Sequence, residues 1–271
     1  MTLAHLHRPL GNTGLQVSPL GLGTVKIGRN QGVKYPSGFE LPDDRQVRDL
    51  LALARELGIN LLDTAPAYGT SEERLGPLLQ GQRQDWVLCT KVGEEFVDGQ
   101  SRFDFSAAHT RFSVQRSLQR LHTDYLDLVL VHSSGDDLTV LEDEVYPALQ
   151  QLKQEGLIRA FGFSGKTVAG GVQALRDGDC AMVTWNLREQ AERPVLDYAA
   201  DHGKGILVKK ALASGHICLE GEDPLTAGFE LVFSHPAVSS AIIGTINPLH
   251  LRQNVTTVAG ILERRTAGTA D

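Results

Sequence analysis

The sequence predicts a (β/α)8 TIM barrel forming a single domain over residues 1–271. Three observations carry that prediction. The length of 271 residues sits close to the roughly 250 typical of the fold. After a Gly-rich lead-in, eight short apolar runs recur, at residues 19–22, 60–62, 86–90, 127–131, 158–163, 181–185, 205–208 and 240–243. Between them apolar residues return at helical spacing, and the alternation persists to the end of the chain.

The apolar runs are nearly continuous, as strands buried on both faces of a parallel sheet must be. After the first, Val47, Leu50, Leu51, Ala54 and Leu57 trace one helical face, and Gly58 stands where that helix must end. Leu141, Val145, Ala148, Leu149 and Leu152 trace another, closed by Gly156. Asn247 followed by Pro248 reads as the cap and first turn of the last helix. Residues 28–45, with Gly, Pro, Asn and Lys, read as a long first loop over one barrel end. An open doubly wound sheet is the competing architecture. Strand count and the absence of any G-x-G-x-x-G favour the barrel.

Composition excludes several function classes. Hydrophobic residues make up 41% and charged residues 22%, which describes a chain able to bury a sizeable core. The formal charge of −7 gives no basic field for nucleic acid or an anionic membrane, and no run approaches a membrane span. Cys89, Cys180 and Cys218 include no C-x-x-C pair, so neither a disulfide framework nor a metal site is suggested. The first ten residues lack the apolar core of a signal peptide. A cytoplasmic protein, monomeric by default, is the expectation.

In a barrel the active site lies at the C-terminal strand ends. Just past four consecutive apolar runs stand Asp63, Lys91, His132 and Ser164, and Tyr68 lies five residues beyond Asp63. Alone, Asp63 reads as a helix cap, His132 as a core imidazole and Tyr68 as packing. A buried lysine is different, because its ammonium needs a carboxylate partner. Together the residues suggest proton transfer at a carbonyl: Lys91 acidifies the Tyr68 phenol, Asp63 holds Lys91, and His132 orients the carbonyl oxygen. No nucleophile with an adjacent base appears, which disfavours acyl and glycosyl transfer. Ser164-Gly165-Lys166-Thr167 mimics the end of a phosphate-binding P-loop, but the motif needs glycine at the position of Ala160.

The run Asp63-Thr64-Ala65-Pro66-Ala67-Tyr68-Gly69 resembles the DTAxxYG signature of the aldo-keto reductases. The similarity continues through Gly21-Leu22-Gly23-Thr24 before it and Ile243-Gly244-Thr245 to Asn254 after it. The resemblance implies a barrel reductase that binds NADPH, with NADH as the alternative, across the barrel mouth and passes hydride to an aldehyde or ketone. It places Gly23 and Thr24, with Asp63, near the nicotinamide and Ser164 on its carboxamide. Lys209 and Lys210 lead into Leu212 and Ser214 on the pyrophosphate, and Gly244, Thr245, His250 and Asn254 border the adenosine.

Several positions depart from the common pattern of that family. Gly165 and Met182 stand where amide side chains often bond the carboxamide, and Lys209 where an aromatic ring often stacks on the nicotinamide. His250 is left as a weak, pH-sensitive cation at the 2′-phosphate end. With 17 residues after Asn254, an open substrate site is expected, shaped by the first loop and the segment from Phe96 to Phe105. Phe96, Phe103 and Phe105 read equally well as loop packing. Two other functions remain: a slow cofactor-binding partner subunit, and an alcohol or sugar dehydrogenase working oxidatively.

Overall fold

The structure is a computed structural model that describes residues 1–33, 35, 38–215 and 223–268. The chain opens with a hairpin in which β1 (Arg8–Pro9) pairs antiparallel with β2 (Gln16–Val17). There follow β3 (Leu20–Gly23), β4 (Leu61–Asp63) and β5 (Val87–Val92), then a second hairpin of β6 (Glu94–Val97) with β7 (Gln100–Phe103). The remaining strands are β8 (Leu126–His132), β9 (Ile158–Ser164), β10 (Cys180–Thr184), β11 (Gly205–Lys209) and β12 (Val238–Ile243). Without the two hairpins, eight strands pair in parallel and in chain order, with β12 returning to β3 to close the barrel. All eight expected strands are present.

Outside the barrel lie α1 (Val25–Gly28), α2 (Asp44–Glu56), α3 (Ser71–Leu78), α4 (Ala107–Arg120), α5 (Asp137–Glu142), α6 (Val145–Gln154), α7 (Val168–Asp177), α8 (Arg193–Asp201), α9 (Pro224–Val232) and α10 (Pro248–Gly268). Local chemistry sets their ends. On α2, Asp43 accepts from the Gln46 amide while the Gln46 side chain accepts from the Asp43 amide, a reciprocal cap. Its apolar face buries Val47, Leu50, Leu51 and Ala54, and Gly58 follows at φ 81°. Leu141 does not share a helix with Leu149: the chain is extended at Asp143, between α5 and α6. A continuous helix would press the Pro147 ring on the carbonyl of residue 143, so proline moves the break to where it falls in a first turn. No helix among the described residues is long and apolar enough to cross a membrane.

Two packed layers result, because successive strand residues face opposite sides. Leu62, Leu88, Val129, Phe161, Val183 and Val208 face outward into the layer shared with the helices. Leu61, Cys89, Leu130 and Leu207 face inward, in a second cluster with Leu10, Leu15 and Val17 from the first hairpin. Each fully buried leucine there contributes about 1.5–3 kcal/mol. Two residues further along the same inward columns come Asp63, Lys91, His132 and Lys209. The ladder runs up to and includes these polar side chains: Asp63, His132, Ser164 and Lys209 end their strands and Lys91 is the penultimate residue of β5. The sequence expectation had placed Asp63, Lys91, His132 and Ser164 just beyond. Cys89 and Cys180 are buried and free, and Cys218 lies outside the described residues.

Candidate active site

Lys91 is 1% exposed, and its Nζ donates to Asp63 Oδ1 at 2.5 Å and to the Thr64 carbonyl at 2.9 Å. Burial alone would lower the lysine pKa, but the Asp63 carboxylate outweighs it, so the ammonium is held charged well above its ordinary range. Its nitrogen lies 4.7 Å from the centroid of the Tyr68 ring. Burial pushes the Tyr68 phenol above its ordinary value, and Lys91 pulls it only part of the way back. The phenol of the free site is therefore a firmly protonated acid, rather than the already acidified group expected from the sequence.

Tyr68 owes its place to two glycines. Gly69 has φ 63°, and a Cβ on it would fall 2.2 Å from the Gly28 carbonyl oxygen. A Cβ on Gly28 would fall 2.2 Å from the Ser71 amide. The loops after β3 and β4 thus press together backbone to backbone, and Arg29 adds a bond from its Nη1 to the Ala67 carbonyl at 2.9 Å. Beneath them runs a buried hydroxyl chain in which Thr64 donates to Ser71, Ser71 to Thr24, and Thr24 to the Asp63 carbonyl.

His132 meets Tyr68 edge to face with ring centroids 6.3 Å apart. Its Nδ1 lies 2.7 Å from Glu94 Oε2, at an angle off that of a formed hydrogen bond. Burial lowers the imidazole pKa while Glu94 opposes the shift. Burial likewise raises the Glu94 carboxyl, but His132, Ser101 and Arg29 overcome it and bring it down to about 2. Sequence reasoning missed Glu94. The dipeptide Asp98-Gly99, a type I′ hairpin signal, could have revealed the hairpin that carries it. On that hairpin Phe96 lies under the Arg29 guanidinium at 3.3 Å, and Phe103 stacks on Phe105 at 6.1 Å. All three pack.

These groups open into one cavity of about 1060 Å³. Of the sequence-predicted site residues, Gly23, Asp63, Tyr68, Lys91, His132 and Ser164 line its floor and inner wall. Lys209, Lys210, Leu212 and Ser214 line the far side, and Gly244, Thr245, His250 and Asn254 the outer end. Thr24 does not border it: this residue is fully buried and engaged in the hydroxyl chain. Lys26, Tyr35, Lys166 and Glu192 line it without having been expected.

The departures have structural causes. A Cβ on Gly165 would lie 3.0 Å from Asp137 Oδ2, the oxygen that receives the Lys166 and Thr167 amides, so an asparagine fits poorly there. The Lys209 ammonium donates instead to Ser164 Oγ at 3.1 Å and to the Gly165 carbonyl at 2.5 Å. Burial brings its pKa down to about 8. Glu192 Oε1 accepts from the Thr184 amide at 3.0 Å, whereas Oε2 is buried without a partner, and burial raises the carboxyl's pKa. After β11, Lys210, Ala213 and Ser214 all take positive φ, at 53°, 45° and 58°. Left-handed backbone in non-glycine residues costs energy and clusters at ligand clamps, where it makes anion-binding concavities. These features fit a nicotinamide dinucleotide: a clamp for the pyrophosphate, and polar groups at Ser164, Lys209 and Glu192 for the amide.

Comparison with known proteins agrees with that reading. Residues 19–229 match the Aldo/keto reductase family. A solved structure from Pseudomonas aeruginosa, described as an aldo-keto reductase, is 68% identical with a TM-score of 0.89, covering 96% of this chain and 98% of its own. L-galactose dehydrogenase of Arabidopsis thaliana is 33% identical over 79% of this chain and 67% of its own length. The NADH-specific methylglyoxal reductase of Escherichia coli is 32% identical over 76% of this chain and 67% of its own. The chain belongs to the aldo/keto reductase family and is an NAD(P)H-dependent oxidoreductase.

Proposed function

We propose that the protein reduces a small aldehyde or ketone, with Tyr68 as the proton donor. The observation that carries this reading is the Lys91 ammonium, fixed by Asp63 and the Thr64 carbonyl under the Tyr68 ring in the cavity that also holds His132. NAD(P)H, when bound, supplies the hydride. The remaining work belongs to side chains of this chain. Tyr68 presents a protonated hydroxyl to the substrate oxygen. As negative charge develops on that oxygen, the proton moves from Tyr68, and Lys91 stabilises the phenolate left behind. Asp63 keeps Lys91 in place and charged. Glu94 occupies the Nδ1 side of His132, which leaves Nε2 to hydrogen-bond the substrate oxygen. Only proton delivery depends on the phenolic hydroxyl. Tyr68→Phe should therefore lower kcat by 10²-fold or more, by the usual worth of a general acid of about 10²–10⁴, with cofactor Kd unchanged. Retained turnover in that variant would remove Tyr68 from the mechanism.

The cofactor we read as NADPH with NADH also accepted. His250, exposed at the outer end of the cavity, supports a weak rather than strong contact to a 2′-phosphate. On this reading His250→Arg raises the preference for NADPH over NADH in paired Kd measurements, and an unmoved ratio would place the phosphate elsewhere. The same residues run the reverse reaction on an alcohol or sugar, which the likeness to a sugar dehydrogenase supports as a second reading. A monomer in the cytoplasm needing no macromolecular partner completes the proposal, its assembly state readable from light scattering.

A further inference from the structure

Several charged side chains that line the cavity have no part in the proton-transfer set, Lys209 among them. Lys209 ends β11 on the inward column that passes through Leu207, and its ammonium is held by two neutral acceptors, Ser164 Oγ and the Gly165 carbonyl. Among the described residues it forms no ion pair. The charge shares one cavity with Tyr68, Lys91 and His132. Facing it are Glu192 ahead of α8 and Asp137 of α5, which favour the charged state, and Lys91 of β5 and Lys210, which oppose it.

Carbonyl reduction by a nicotinamide changes the charge of the cofactor. The C–H bond at C4 of the neutral dihydropyridine breaks, and its electron pair and hydrogen form a new C–H bond at the carbonyl carbon. The carbonyl oxygen takes a proton from Tyr68, and a pyridinium cation remains. An ammonium fixed in the same cavity therefore acts on the phosphates of both forms alike, but repels the pyridinium ring of the oxidised form and not the neutral ring of the reduced one.

We propose that Lys209 sets the redox preference of the cofactor site: held by Ser164 and Gly165 beside the reacting centre, its ammonium makes the site bind the reduced nicotinamide more tightly than the oxidised one. The equilibrium between free substrates and products is unaffected. What shifts is the equilibrium on the enzyme and the ease with which oxidised cofactor leaves, both in favour of reduction. The inference rests on the cofactor reading above.

The test is binding rather than turnover. Wild type, Lys209→Met and Lys209→Gln are titrated with NADPH, NADP+, NADH and NAD+ by calorimetry, and Kd(oxidised)/Kd(reduced) is formed for each pair. In wild type the ratio should stand well above one. Both neutral variants should lower it by about tenfold, equivalent to about 30 mV in the potential of the bound two-electron couple. A merely structural role would weaken both forms together and leave the ratio fixed. A ratio within twofold of wild type in both variants overturns the proposal. Wild type that binds none of the four nucleotides overturns the cofactor reading itself, a result distinct from binding with an unchanged ratio.

Discussion

Removing one partner of the Lys91–Asp63 pair strands a charge in a place where neither side chain is more than 4% exposed. Asp63→Asn should therefore cost about 3–5 kcal/mol of stability, read as a fall in denaturant midpoint, as well as activity. The pH behaviour of the two anchoring pairs differs in sign. Lys91 is raised above its unfolded value by Asp63 against burial, so its contribution is complete below about pH 10.4 and fades only as pH climbs through the folded value. Glu94 is depressed to about 2, so its contribution is present above about pH 4.3 and disappears as pH falls through the folded value. Between pH 5 and pH 2, wild type should lose more stability than Glu94→Gln. An equal loss would mean that the carboxylate is not ionised against His132. The same variant should move the acid limb of the kcat profile downward, because the charge that supports imidazolium is gone.

At the scale of elements, Tyr68 is positioned by two loops that touch only because both carry glycine. Gly69→Ala combines a left-handed backbone cost of about 1–2 kcal/mol with a Cβ 2.2 Å from a carbonyl oxygen. We expect a lower Tm and a loss of kcat larger than the change in cofactor affinity, since Tyr68 is displaced while the β11 and β12 rim is not. A variant with wild-type kcat would show that the glycine contact does not position the phenol. The elements also show where sequence periodicity is legible. The α2 face and its stop at Gly58 could be read because period and terminator agree within one segment. The break between α5 and α6 could not be read from apolar spacing, which runs straight through it. Proline, not hydrophobicity, decides that boundary. The first hairpin has two-residue strands, too short for any alternation to register. Its leucines are explained only by the barrel floor that they fill.

For the molecule as a whole, a ligand that binds only the folded barrel should stabilise it by mass action. NADPH at 100 times its Kd contributes about 2.7 kcal/mol, so Tm should rise by several degrees, and no rise at that concentration would count against binding in the cavity. By itself the sequence determined the eight strands, their order and the polar residues Asp63, Lys91, His132 and Ser164 at the ends of four of them, since these follow from local apolar runs and a period of two. It also determined the Asp63, Tyr68, Lys91 and His132 set, whose chemistry makes sense only as a group. Tertiary structure alone decided that Glu94 stands behind His132, that Lys209 reaches across β10 to Ser164, and that Thr24 turns away from the cavity. These are contacts between segments far apart in the chain. Their directions are fixed by the register of a closed sheet and by backbone approaches at glycine, which no window of neighbouring residues encodes.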